Sequence, residues 1–137
     1  MGSCGIPRRT STRGAQAARA HYSGCVVVTT PSDLAVADVV RGVSMLRKFD
    51  VPILGVVENM SHFVCPDCDS LHRIFGEGAA EHLKDRKNLS VIGEVPLSMP
   101  IRKGADEGAP VVLDEGAGPE RDAYIAIKDT LKPLMMA

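Results

Sequence analysis

The stretch from Val51 to Cys68 does most to limit what this chain can fold into. Ile53-Leu54-Gly55-Val56-Val57 is apolar at successive positions, the pattern of a strand buried from two sides in a parallel sheet. It runs through Glu58-Asn59-Met60-Ser61-His62 into Cys65-Pro66-Asp67-Cys68. In open α/β sheets the chemistry sits just beyond the carboxyl ends of such strands. The loop carrying the two cysteines is therefore the expected working part.

The rest of the chain supplies a frame for that strand. Cys25-Val26-Val27-Val28-Thr29-Thr30 reads as a second buried parallel strand stopped by Pro31, and Ser32 then caps a helix over Asp33–Phe49. Val36, Val39, Val40, Val43, Leu46 and Phe49 recur at helical spacing, making this a crossover helix between two strands. Downstream, Ile74-Phe75-Gly76-Glu77-Gly78 leads into a short helix from about Ala79 to Arg86. Leu89 to Val95 reads as a third strand, and Ser98 caps a short helix with Pro100 in its first turn. Val111-Val112-Leu113 is a short strand or a strap. Pro119 to Leu134 is a terminal helix with Tyr124, Ile127, Leu131 and Leu134 inward. The expected class is α/β, a parallel sheet of at least three strands with flanking helices, in one domain over residues 24–137. Residues 1–23 read as a flexible arginine-rich segment, with a helical turn within Gly14 to Ala20.

Composition removes several functions. The net charge of −1 over 137 residues, with no run of basic and aromatic residues, gives no platform for nucleic acid. No apolar run approaches the ~20 residues of a membrane span. Four cysteines, Cys4, Cys25, Cys65 and Cys68, are too few and scattered for a secreted disulfide framework, so a reducing compartment, cytoplasm or mitochondrial matrix, is expected. Arg8, Arg9, Arg13 and Arg19, with no acid before Asp33, give the N-terminus the composition of a transit peptide or of a disordered leader.

Two thiolates separated by two residues can turn toward one metal, but they supply half of a four-ligand site. A two-fold dimer would bring Cys65 and Cys68 together with their symmetry mates. Three alternatives stand beside this. His62, Cys65, Cys68 and His72 form a spacing that could hold zinc within one subunit. The pair could be a redox dithiol, although that chemistry favours a first cysteine at a helix N-terminus. Or the cysteines could do nothing. Asn59 could read a base edge or simply cap a turn. Gly76 and Gly78 could cradle an anion or simply close a loop. His21 and His82 read as ordinary surface residues.

Taken together, Val27-Val28-Thr29-Thr30-Pro31, Gly55-Val56-Val57-Glu58-Asn59-Met60-Ser61, Cys65-Pro66-Asp67-Cys68, Ile74-Phe75-Gly76 and Gly93-Glu94-Val95-Pro96-Leu97 resemble the Mrp/ApbC branch of MinD-like P-loop NTPases. These are ATP-binding iron-sulfur cluster carriers, including the mitochondrial NUBPL type that serves respiratory complex I. The likeness spans Gly24 to Leu113 and matches only the second half of the family's domain. It implies a [4Fe-4S] cluster bridging a homodimer through Cys65 and Cys68, with zinc the alternative occupant. It also implies a nucleotide-base contact at Asn59 near the Pro96-Leu97 turn. Implied partners are iron-sulfur apoproteins and a second copy or a full-length family member. No glycine-lysine pair occurs in the sequence, so the G-x-x-x-x-G-K-[ST] loop is missing and autonomous ATP hydrolysis is not expected. Ile6 to Thr12 only faintly echoes the family's switch segment. A truncated gene product, a misread gene start or a degenerate paralogue is expected, with uncovered apolar sheet edges or faces that promote self-association or marginal stability.

Overall fold

The computed structural model describes residues 23–116 and 118–136. Apart from Ser23, the expected N-terminal segment, with Cys4, His21 and the alanine-rich turn, lies outside the described residues. Three parallel strands form the sheet in the order β1–β2–β5: β1 (Cys25–Thr29), β2 (Ile53–Asn59) and β5 (Val91–Val95). A separate antiparallel ribbon pairs β3 (Phe63–Val64) with β4 (Leu71–His72). The helices are α1 (Asp33–Lys48), α2 (Ala79–Lys87), α3 (Met99–Glu107) and α4 (Pro119–Met135).

β2 is the central strand, and its burial explains its sequence. Gly55, Val56, Val57 and Glu58 are all buried in succession. Val56 packs with Val43, Leu83 and Leu89 under α1 and α2. Its neighbour Val57 faces the other way, against Ile92, Val95 and Ile127 of α4. Two opposed cores on one strand require adjacent apolar residues rather than alternation. Each fully buried side chain contributes about 1.5–3 kcal/mol. Close packing also selects glycine: a Cβ at Gly93 would collide with Ile127, and one at Gly55 with Ile92.

α1 follows its sequence closely. The Ala35 N–H donates to Ser32 Oγ at 3.3 Å, Asp33 lies in the first turn, and Arg47 and Lys48 lie in the last. The capping bond and the charges at both ends complement the helix dipole.

Several expectations change in detail. β2 extends to Asn59 because it is paired on both sides there, Glu58 with Thr29 and Glu94, and Asn59 with Val95. Leu89 is buried in the first core but lies ahead of β5 rather than in it. Phe49 caps α1 and is exposed rather than joining the apolar stripe. Leu134, in the last turn of α4, is also exposed. Val111–Leu113 forms a 3-10 turn after Pro110, with Val111 buried. Ser98 precedes α3 without capping it, because its hydroxyl donates to Glu120 Oε1 at 2.8 Å and ties α3 to α4.

Candidate functional site

The chain leaves β2 through a short, firmly held neck. Met60 adopts a left-handed φ of 57°, and its N–H donates to Asn59 Oδ1 at 3.0 Å. Ser61 is fully buried. Its N–H and its hydroxyl both donate to the Val95 carbonyl, at 3.1 and 3.2 Å, and the Leu97 N–H donates to the His62 carbonyl at 2.7 Å. These three bonds stitch the root of the cysteine loop to the turn that follows β5. His62 Nδ1 lies 2.8 Å from Ser61 Oγ.

Beyond the neck, β3 and β4 form a two-stranded hairpin in the register Phe63 to His72 and Val64 to Leu71. Cys65, Pro66, Asp67, Cys68, Asp69 and Ser70 make its tip. The Cys65 N–H donates to the Ser70 carbonyl at 3.0 Å, and the Asp69 N–H donates to the Cys65 carbonyl at 2.9 Å. Asp69 takes a φ of 55°, a conformation that aspartate tolerates better than most residues. The sequence carries proline and aspartates where a tight turn needs them, although the flanking strands are too short to give a readable period.

The tip presents its sulfurs unequally. Cys65 is half-buried and Cys68 is exposed. Cys68 Sγ lies 3.2 Å from Ser70 Oγ. Hydrogen bonding from the Ser70 side chain, then its backbone, then Cys65, favours the Cys68 thiolate and lowers its pKa from the ordinary 9.0. The two sulfurs are therefore neighbours at the surface, with the outer one primed as an anionic soft ligand. Cys25 stands apart, half-buried in β1.

Apolar side chains flank the tip. Val64, Leu71, Ile74 and Phe75 are each 42–58% exposed. Exposed apolar residues near a polar, reactive turn suit an interaction surface.

The alternatives at the tip fare differently. Among the described residues, no group of three or more His, Cys, Asp and Glu side chains is placed to hold a metal ion, so the single-subunit zinc set with His62 and His72 is not assembled. Cys65 opens a hairpin turn rather than a helix, which removes the helix-dipole activation of a redox dithiol. Gly76 and Gly78 both have left-handed φ, 106° and 81°, as loop closure into α2 requires. His82 is exposed on α2.

Among the described residues, the hollow that Asn59 lines does not include Pro96 or Leu97. Asn59 lines a hollow of about 320 Å³ with Val28, Thr29, Thr30 and Asp38, at the carboxyl ends of β1 and β2. Pro96 and Leu97 line another of about 370 Å³ with His62, Pro66 and Glu120. Sequence reading missed Ser61 and Ser70, whose hydroxyls act on distant or turn partners that no local spacing announces.

The sequence matches the family described as ParA: NUBPL iron-transfer P-loop NTPase over residues 13–132. The chain belongs to this family. An Arabidopsis thaliana relative, iron-sulfur protein required for NADH dehydrogenase, mitochondrial, is 52% identical over 102 residues, covering 74% of this chain and 33% of that protein. The iron-sulfur cluster transfer protein NUBPL of Dictyostelium discoideum is 42% identical over 117 residues, covering 85% of this chain and 36% of the relative. This NUBPL-family chain thus spans about a third of the length of the curated relatives it matches. Among solved structures, a nucleotide-binding protein from Archaeoglobus fulgidus in complex with ADP aligns with a TM-score of 0.59 at 32% identity, covering 74% of this chain and 40% of that one. The cell division ATPase MinD of Pyrococcus furiosus aligns with a TM-score of 0.64 at 23% identity, covering 82% and 43%, a likeness of fold. The α/β, MinD-like class expected from sequence is the one observed. Among the described residues, no helix is long and apolar enough to cross a membrane.

Proposed function

We propose that this chain carries an iron-sulfur cluster on the thiolates of Cys65 and Cys68 and passes it to iron-sulfur apoproteins. The observation that carries the reading is the hairpin tip, where two neighbouring sulfurs stand at the surface, the outer one favoured as a thiolate, within an apolar surround. Two relatives whose printed names are iron-sulfur cluster transfer or carrier protein support it, at 42% and 46% identity.

One hairpin offers two of the four thiolates that a [4Fe-4S] cargo takes, and a second copy related by a two-fold axis supplies the other two. The exposed Val64, Leu71, Ile74 and Phe75 then become the surround of that shared site. Asn59 and the Pro96-Leu97 turn are retained as weak base contacts for a nucleotide. They do not make a catalytic centre, because the sequence has no phosphate-binding lysine loop.

Anaerobic reconstitution tests the proposal. Iron and sulfide at about four each per dimer, with charge-transfer absorbance absent from the Cys65→Ser/Cys68→Ser variant, is the expected result. Zinc at about one per monomer that depends on His62 and His72 would instead overturn it.

A further inference from the structure

The two sulfurs of the hairpin tip are placed to bond to each other as well as to a metal. The turn that carries them is closed by two backbone bonds, from the Asp69 N–H to the Cys65 carbonyl at 2.9 Å and from the Cys65 N–H to the Ser70 carbonyl at 3.0 Å. The first of these closes an α-turn, one helical turn that is not continued. On such a turn, residues with the spacing of Cys65 and Cys68 have Cβ atoms about 5–6 Å apart, and a disulfide brings them to about 3.5–4.5 Å. A ribbon with two residues in each strand gives way by that much more readily than a full sheet does. The two side chains already meet, since Cys65 hydrogen-bonds to Cys68.

Exposure assigns the two sulfurs different parts. Cys68 is exposed and Cys65 is half-buried. This is the arrangement of a solvent-accessible cysteine poised beside a resolving one. Cys25 belongs to β1 and stands outside the turn.

We propose that the tip is also a redox gate, in which Cys65 and Cys68 close reversibly into an intrachain disulfide that has to be reduced before the pair can hold a metal or a cluster. The oxidant is a low-molecular-weight disulfide of the glutathione class. Cys68, as thiolate, attacks one sulfur of that disulfide, forming a Cys68–glutathione bond and expelling one glutathione thiolate. Cys65 gives its proton to water and attacks Cys68 Sγ, which expels the second glutathione thiolate. Two protein thiols have then lost two electrons, and one glutathione disulfide has gained them. A dithiol reductant reverses both steps. Cys65 opens a turn rather than a helix, so the pair lacks the activation suited to oxidising other proteins, whereas closing on itself needs only nearness. The role of the gate rests on the cluster reading given above; the bond itself does not.

The test uses the full chain in a Cys4→Ser/Cys25→Ser background, which leaves thiols only at the tip. The reduced protein is incubated anaerobically with glutathione disulfide. Intact mass should show the loss of two hydrogens with no glutathione attached, and neither tip cysteine should then react with iodoacetamide. Cadmium ion, which neither oxidises nor reduces thiols, reads access to the ligands. The reduced chain should show cadmium–thiolate absorbance, and the oxidised chain should lose it and regain it after treatment with dithiothreitol and removal of the reagent. Cys65→Ser should stall with one glutathione on Cys68, and Cys68→Ser should react far more slowly because its remaining thiol is half-buried. A glutathione adduct that persists when both cysteines are present, or a bridge between two chains in place of one within a chain, overturns the proposal. Equal cadmium uptake by the oxidised and reduced forms overturns it as well. A chain that closes and reopens as described, yet takes up no iron and sulfide when reduced, supports the disulfide and overturns the cluster reading.

Discussion

The central strand β2 and the hairpin β3–β4 are neighbours in sequence and opposites in physics. β2 is paired on both sides and buried on both faces, so its residues are held by two cores at once. The hairpin has two residues per strand and leaves Val64 and Leu71 exposed. Two-stranded ribbons of that length are marginal in water by themselves. Here the ribbon is held by its neck, where Ser61 and His62 bond to the end of β5. The contrast teaches that the fold's stability and its chemistry are stored in different places. A surface turn can present sulfur because a rigid strand positions its root.

Substitutions can break that division or sharpen it. The largest effect is expected from Cys65→Ser/Cys68→Ser, with essentially complete loss of reconstituted iron and sulfide while the urea midpoint stays put, because neither side chain supports a core. If the double variant unfolds instead, the tip is structural and the division fails. Next comes Leu83→Ala: Leu83 is fully buried with Val43, Val56 and Leu89, and its loss should cost about 3 kcal/mol in equilibrium denaturation. Ser61→Ala removes one of two donors to the Val95 carbonyl and should cost about 1 kcal/mol, with faster hydrogen exchange at Leu97 showing that the neck has loosened. Leu71→Ala, at an exposed position, should change monomer stability by less than about 0.5 kcal/mol. Its effect should instead appear as a lower dimer fraction in sedimentation of the cluster-loaded protein.

The smallest effect concerns pH. Ser70 and Cys65 hydrogen bonds stabilise the Cys68 thiolate, so its pKa lies below the ordinary value of 9.0 and its reactive form persists to lower pH. In the cluster-free chain, alkylation of Cys68 should therefore reach half its maximal rate below pH 9.0, and Ser70→Ala should move that midpoint upward. A midpoint unmoved by the substitution would remove Ser70 from the account of the tip.

Regular periods made most of the frame readable in advance. The stripe of α1 up to Leu46, its Ser32 cap, the apolar run of β2 and the Cys65–Cys68 spacing are all local patterns, and each appears in the structure where the sequence placed it. Reading became less accurate where a residue answers to something far along the chain. Ser98 looks like a helix cap by position, yet Glu120 takes its hydroxyl. Leu134 fits the stripe of α4 yet is left exposed. The hairpin was missed because two-residue strands are too short to have a period.

What the sequence by itself determined was the α/β frame, the buried strand at its centre and the pair of sulfurs waiting beyond it, because propensity, capping and hydrophobic repeat are properties of neighbouring residues. Only the tertiary structure decided that the sulfurs sit unequally on a hairpin tip, that Ser61 anchors its root to β5, and that, among the described residues, β2 is flanked by β1 and β5. Exposure and hydrogen-bond partnership depend on which segments meet in space, and segments tens of residues apart carry no local mark of that meeting.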